Sequence, residues 1–376
     1  MFKPLLLLGL GVFIGSCASD SNEDLLALAL QSDAPKIQKV LKNVKDHELQ
    51  ILLSTIDFKG KNVIFRDYAF QVNDSNYFYP ASTVKFPAAV LALEQLNKIP
   101  SYHLDTSYVI EGDSVATTFR SDIEDIFAVS SNVAFNNLYE FIGPAHINER
   151  LTQLGVGPVR YSHRLSTPNA DTLWQRSISF TNDGTNSFIT PGQAIATTTP
   201  LQINRTQKGT GYYKNDSLIR EPMDFSKKNY LPLTSLHNVM KRVIFPDAFN
   251  TNQQFDLSVD QQLFLLETMQ KLPKELGYNQ EEYYDSYVKF FMFGDSKKDI
   301  PKHIKIHNKV GYAYGYLTDS AYIIDTQNQV AFILSATIHV NQNRIFNDDV
   351  YEYETIGIPF LAELGRQVHQ ILIDIK

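Results

Sequence analysis

The chain has 376 residues, 43% of them hydrophobic and 12% aromatic, which is enough apolar material for one large domain or two interleaved ones. Its net charge of −7 comes without any basic block, which excludes the electrostatic footprint of a nucleic-acid binder. The single cysteine, Cys17, excludes a disulfide within the chain.

The first residues read as a lipoprotein signal. Lys3 is followed by an apolar run over 5–14, too short to span a bilayer stably, and the run closes in Ile14-Gly15-Ser16-Cys17. This apolar-small-small-Cys box places the one cysteine where lipidation needs it; the plainer alternative is ordinary cleavage near Ala18. Residues 1–17 are thus expected to be a signal ending at a lipidated Cys17. That would tether the protein outside the cytoplasm, on the periplasmic or extracellular side of a bacterial membrane. Residues 18–30 follow as a tether, polar and acidic at their start.

Ser32-Asp33-Ala34-Pro35 signals a helix start, and Ile37, Val40, Leu41 and Val44 recur on one helical face. Residues 50–58 and 62–70 read as strands joined by a hairpin at Lys59-Gly60-Lys61. Tyr79-Pro80-Ala81 leads into Ser82-Thr83-Val84-Lys85, where an apolar helix begins and runs to about residue 97. A short helix over 122–129 precedes the turn Ser130-Ser131-Asn132, and a second helix spans 133–142. Residues 164–200, rich in Thr, Asn, Gly and Ser, read as a long ordered loop; 204–232 reads as an inserted hairpin; 257–272 carries a helix pattern. Strands are expected over 304–309, 320–325 and 330–340, then a last helix over 360–373. The order suggests a mixed sheet built from 31–90 and 300–376, with a helical domain over 91–299 inserted between.

Three sites carry chemistry. Ser82 and Lys85 are three apart at a helix start, so they share a face and the lysine can reach the hydroxyl. Serine needs a base to become a nucleophile, and lysine serves only if burial or another cation lowers its pKa. Ser130 and Asn132 sit on a turn before a helix and can face one cleft. Lys309 lies on a strand, with Gly311 allowing close approach to its backbone. Alone, each has a plain reading: helix caps for Ser82, Ser130 and Asn132, a solvated Lys85, a strand-edge lysine at 309. Their order along the chain makes the set informative.

Together they resemble the S-x-x-K, S-x-N and K-T-G signatures of the penicillin-binding-protein and serine β-lactamase superfamily, and the stretch from Val129 to Leu138 resembles the second motif of class A β-lactamases. The resemblance extends from about residue 30 to the C-terminus. It implies an α/β (α+β) β-lactamase/transpeptidase-like fold, with an antiparallel sheet, flanking helices and an inserted all-helical domain. It implies Ser82 as acyl-accepting nucleophile, Lys85 as its base or proton relay, and Ser130 as proton donor to the leaving nitrogen. Asn132 would hold the substrate amide, Lys309 would support Ser130 and a substrate carboxylate, and the backbone N–H groups of Ser82 and Tyr312, the residue after Gly311, would form the oxyanion hole. No cofactor or metal is needed, and the ligand would be a small-molecule β-lactam or a cell-wall peptide.

Two departures shape the expected activity. Class A enzymes carry a glutamate that activates the hydrolytic water, yet no Glu occurs between Glu149 and Glu221, and none lies in the corresponding loop over 163–169. Asp171 is the nearest carboxylate, one methylene shorter, and a misplacement of about 1 Å can cost about a hundredfold. A carbamylated Lys85, as in class D enzymes, is a further option. Val310 replaces the usual Thr or Ser, and no arginine lies between Lys309 and Arg344. The expectation is a lipid-anchored, class A-like serine hydrolase acting on a β-lactam or related amide. The alternatives are a D-Ala-D-Ala peptidase or esterase, and a non-catalytic cell-wall-binding lipoprotein. His303 and His307 could share a strand face and a metal, though without an evident third ligand; His307 should share a face with Lys309 and line the cleft. Tyr212-Tyr213 and Trp174 could form an aromatic rim, buried packing suiting Trp174 better.

Overall fold

A computed structural model describes residues 23–60, 62–168, 170–182 and 186–375. The expected signal, Cys17 and residues 18–22 of the expected tether lie outside these residues. The described chain begins with helices α1 (Leu25–Gln31) and α2 (Pro35–Leu41). Helix α1 corrects the tether drawn over 18–30. Asp24 caps it by accepting the Ala27 N–H at 3.0 Å, and Leu25, Leu26, Ala29 and Leu30 are buried. Three buried leucines are together worth several kcal/mol, at about 1.5–3 kcal/mol each, so this apolar run docks rather than dangles. Helix α2 starts as expected at Pro35, but its cap position is Ala34 and no side chain caps it.

The expected hairpin is present as β1 (Gln50–Lys59) and β2 (Asn62–Phe70). A single 3-10 turn (Ala81–Val84) leads into α3 (Lys85–Asn97), which is almost wholly buried. Helices α4 (Phe119–Ala128), α5 (Asn132–Ile142), α6 (Pro144–Gln153), α7 (Leu233–Ile244) and α8 (Val259–Gln270) follow. Helices α6 and α7 go beyond the sequence reading. Three C-terminal strands, β3 (Ile304–Ala313), β4 (Tyr316–Asp325) and β5 (Val330–His339), precede α9 (Ile358–Asp374). The first two are longer than expected, because Tyr314 and Gly315, at φ 54° and 77°, make a two-residue turn that lets pairing run up to Ala313–Tyr316.

These five strands form one antiparallel sheet in the order β3-β4-β5-β1-β2, so the two ends of the chain meet at the β1–β5 pair. One face packs under α1, α2 and α9, with Ile51, Leu53, Leu334, Leu361 and Leu364 at its centre. A second core joins α3 to α4, α5, α7 and α8 through Val90, Phe127, Phe135, Leu236 and Leu265.

The loop expected over 164–200 contains a hairpin, Ile178–Asn182 with Asn186–Thr190, which extends a small sheet begun by Ser107–Ile110. Buried Ile178 and Phe180 alternate there, a two-residue period hidden among polar neighbours. The inserted segment does hold a hairpin, Gly211–Lys214 with Ser217–Ile219, whose first strand also pairs in parallel with Ile345–Phe346. Among the described residues no helix is long and apolar enough to cross a membrane.

Candidate active site

Pro80 and the 3-10 turn deliver Ser82 to the floor of a cleft of about 860 Å³ between the sheet edge and the helical part. The turn is braced from both sides: the Thr83 hydroxyl donates to Pro80 O at 2.7 Å, and Tyr161 donates to Val84 O at 2.7 Å. Ser82 itself is half-buried, and no hydrogen bond engages its hydroxyl among the described residues. Strand β3 passes so close that a Cβ on Gly311 would meet Pro80 O at 2.6 Å and Ser82 N at 2.9 Å. Only glycine permits this approach, which sets the Tyr312 backbone beside that of Ser82.

Behind the serine lies a hydrogen-bonded chain of three residues. Ser130, held at φ 58° between α4 and α5, is anchored by its neighbour Ser131, whose hydroxyl caps α5 by accepting the Ala134 N–H at 3.2 Å. Lys309 donates to Ser130 Oγ at 2.8 Å and to Val310 O at 2.9 Å. Lys85 donates to Ser130 O at 2.5 Å and Asn132 Oδ1 at 2.7 Å, with Ser130 Oγ at 3.4 Å. The expectation that Lys85 reaches the Ser82 hydroxyl is therefore not met as a hydrogen bond. A carbonyl and an amide oxygen are stronger acceptors than a hydroxyl, and they engage its amine.

Both lysines are almost fully buried. Burial, reinforced by the Lys309 cation, holds the Lys85 amine well below the usual lysine range. Burial also brings Lys309 down to about 7, with Lys289 adding to the shift and Asp319 opposing it. Lys289 and Asp319 form a buried network behind β3. Lys289 donates to Asn308 Oδ1 at 2.7 Å, and Asn308 donates to Asp319 Oδ1 at 2.9 Å. The Val310 side chain packs into the core beneath α9 rather than into the cleft.

The opposite wall is the loop over 163–171. Arg164 grips Glu140 of α5 through two bonds of 2.7 and 3.0 Å, and Arg176 adds a third at 3.0 Å. Asn136 donates to Leu165 O and accepts from Leu165 N, which fixes the loop backbone. His163, Arg164, Leu165, Ser166 and Thr167 line the cleft, and none is a carboxylate. Asp171 is exposed and is not among the lining residues, while Asn169 lies outside the described residues. His163 was legible only as part of this loop. Its Nδ1 bonds Arg164 O at 2.5 Å, its Nε2 is unpartnered, and burial holds it neutral at about 4.

Three expectations about aromatic and histidine residues are corrected. Trp174 is 48% exposed and lines a neighbouring cavity with Asn132 and Arg164, because a two-residue strand at the surface displays it. Tyr212 and Tyr213 stand on the inserted hairpin away from the cleft. The rim is instead Tyr79, Tyr283, Tyr287, Tyr312, Tyr314, Tyr351 and Tyr353. His307 packs on Tyr322 at 5.7 Å and does not line the cleft. Among the described residues no group of three or more His, Cys, Asp or Glu side chains could hold a metal.

The β-lactamase enzyme family matches residues 34–207, a span that includes the first two motifs. The fold is similar to that of a β-lactamase from Desulfarculus baarsii, at 14% identity and a TM-score of 0.53, covering 91% of this chain and 96% of that one. It is also similar to a representative class A β-lactamase from Bacteroides cellulosilyticus, at 12% identity and a TM-score of 0.51, covering 90% and 97%. A β-lactamase from Streptomyces albus G gives 13% identity and a TM-score of 0.51, covering 91% and 100%. No curated protein matches the chain in sequence. The chain has a β-lactamase-like fold, and the β-lactamase family match covers just under half of its length.

Proposed function

We propose that the protein is a serine hydrolase that forms an acyl-enzyme on Ser82, acting on the amide of a β-lactam or a related cell-wall substrate. The observation that carries this reading is the unengaged Ser82 hydroxyl beside the Lys85–Ser130–Lys309 chain. A neutral Lys85 spends its two N–H groups on Ser130 O and Asn132 Oδ1, which leaves its lone pair to take the Ser82 proton. As Oγ attacks the carbonyl carbon, the oxyanion forms against the backbone N–H groups of Ser82 and Tyr312. Ser130 then donates its proton to the leaving nitrogen and is reprotonated from the lysines on either side. Asn132, its oxygen held by Lys85, presents its amide nitrogen to the substrate.

A specific observation favours a second reading of the later step. No described residue of the loop wall is a carboxylate within the cleft, so the group that would activate water for deacylation is missing. A penicillin-binding or peptidase activity, in which a β-lactam adduct persists, fits this wall better than rapid β-lactam turnover. The test is intact mass of the protein over time with benzylpenicillin, beside Ser82→Ala. An adduct that forms and decays with drug consumed supports a β-lactamase. A persistent, Ser82-dependent adduct supports the penicillin-binding reading. No adduct at high drug concentration overturns penicillin acylation. We further propose a lipid anchor on Cys17, tested by whether Cys17→Ser moves the protein from the membrane fraction to the soluble one.

A further inference from the structure

The cleft has two ends of different chemistry. Toward Asn132 it continues into the cavity lined by Arg164, Thr167 and Trp174. The other end is walled by tyrosines from three separate segments: Tyr283 and Tyr287, Tyr312 on the edge strand, and Tyr353 before α9. Their rings brace one another. Tyr283 and Tyr287 meet edge-on at 4.9 Å, and Tyr312 and Tyr353 at 5.7 Å. Tyr353 is further fixed because its hydroxyl accepts the Gly315 N–H at 2.8 Å. Carboxylates ring this wall. Glu282 adjoins Tyr283 in the chain and acts on its hydroxyl electrostatically, Asp349 lines the cleft within electrostatic range of Tyr353, and Glu354 acts on the adjoining Tyr284. The outer face of the cluster already holds a cation, since the Lys297 ammonium sits 5.0 Å from the Tyr284 ring centroid.

We propose that this tyrosine–carboxylate wall is a subsite for a cationic group on the leaving portion of the substrate. The inference rests on the acyl-enzyme reading, in which Asn132 faces the acyl side and Ser130 the leaving atom; the wall then receives what departs. Aromatic faces attract ammonium and quaternary ammonium groups, most strongly where water is partly excluded. Carboxylates at the rim attract the same charge and repel an anionic leaving group. The rest of the site agrees: Val310 offers no hydroxyl to a carboxylate, and no arginine lies between Lys309 and Arg344. Burial brings Lys309 to about 7, so it is a weaker anion anchor than an exposed lysine. Tyr287 stays a neutral π-face, since burial and neighbouring groups push it up to about 12.

The test uses three thioesters of one acyl group, N-phenylacetylglycine, with thiocholine, 2-mercaptoethanol or thioglycolate as leaving group. In each, the Ser82 Oγ–C bond forms, the C–S bond breaks, and the serine proton leaves with the thiol. All three give the same acyl-enzyme, so kcat/KM differences report the leaving side. Each value is divided by that ester's hydroxide-catalysed rate to remove intrinsic reactivity. The expected result is a thiocholine preference over thioglycolate of about tenfold. It should shrink in Tyr283→Leu, in Glu282→Gln and in Asp349→Asn, each with the 2-mercaptoethanol ester as internal control. A ratio near one, a preference for thioglycolate, or a preference unchanged in all three variants overturns the subsite while leaving the acyl-enzyme reading intact. Failure of every thioester and of benzylpenicillin to acylate Ser82 overturns both.

Discussion

The two walls of the cleft are built to different standards of chemical completeness. The floor and sheet edge bring two buried lysines and Ser130 into one hydrogen-bonded array beside the unengaged Ser82, with Gly311 removing the last obstacle to close approach. The loop wall is equally well fixed, by Glu140, Arg164, Arg176 and the Asn136 clamp, yet it presents no acid to the cleft. Rigidity and reactivity are therefore separable here. The loop is fixed without the group that the proposed hydrolysis would need, so the two proposed steps, acylation and deacylation, can be tested independently.

The sharpest break is on the acylating side. Lys85→Met removes the amine to which we assign the Ser82 proton, while keeping the buried volume. Acylation by benzylpenicillin, followed by stopped-flow mass or fluorescence, should slow by about a thousandfold, the range of a lost general base. A change below tenfold would assign the proton to another group.

Structural loss on the other wall ranks next. Glu140 is fully buried and answers two arginines, so Glu140→Gln leaves the nearly buried Arg164 short of its counter-ion. Breaking such a pair costs about 3 kcal/mol, measurable by denaturant unfolding. Acylation of whatever remains folded should be nearly unchanged, since no bond of the Lys85–Ser130–Lys309 array runs through Glu140. A large acylation defect in the folded fraction would show that the walls are coupled after all.

These two halves were not equally legible in the sequence. Ser82 with Lys85, and Ser130 with Asn132, are local pairs whose spacing alone puts them together, and the β1–β5 closure followed from strand runs at both chain ends. The tyrosine wall was invisible because its members come from near 283, 312 and 353, and only the fold makes them neighbours. Helix α1 was hidden by its polar start, which drew its leucines into a presumed tether. Buried packing was the preferred reading of Trp174 over a place on the rim, although a two-residue strand displays it at the surface. The chemistry of Lys289 was missed for a related reason: nothing in a lone lysine between Val288 and Phe290 says that it will be sealed behind the site.

Supplying the missing group would sharpen the contrast in the other direction. Thr167 lines the cleft on the fixed loop, so Thr167→Glu puts a carboxylate on the wall that lacks one. The Ser82 adduct should then decay about tenfold faster, less than a fully positioned base would give. Intact mass after removal of free drug reads this directly. An unchanged lifetime would place the barrier to deacylation in access of water rather than in its activation.

The smallest effect concerns the charge stored behind the site. Lys289 and Lys309 are both brought to about 7 by burial, against the ordinary lysine value of 10.5. Between these values the unfolded chain holds protons that the folded chain has released, so unfolding takes up protons and stability rises with pH. Below about 7 both states are protonated and the penalty for burying the cations is fully present. Lys289→Met removes one titrating group and also one neighbour that lowers Lys309, whose pKa should climb once the carboxylate of Asp319 faces a single cation. The gain in stability from pH 7 to 8 should therefore fall by roughly 1 kcal/mol relative to the parent protein. Unfolding curves of both proteins at the two pH values check this. An identical pH slope would mean that Lys289 stays charged in the folded state, with Asp319 as its standing counter-ion, and that the cation behind the strand is a permanent part of the field acting on Lys309.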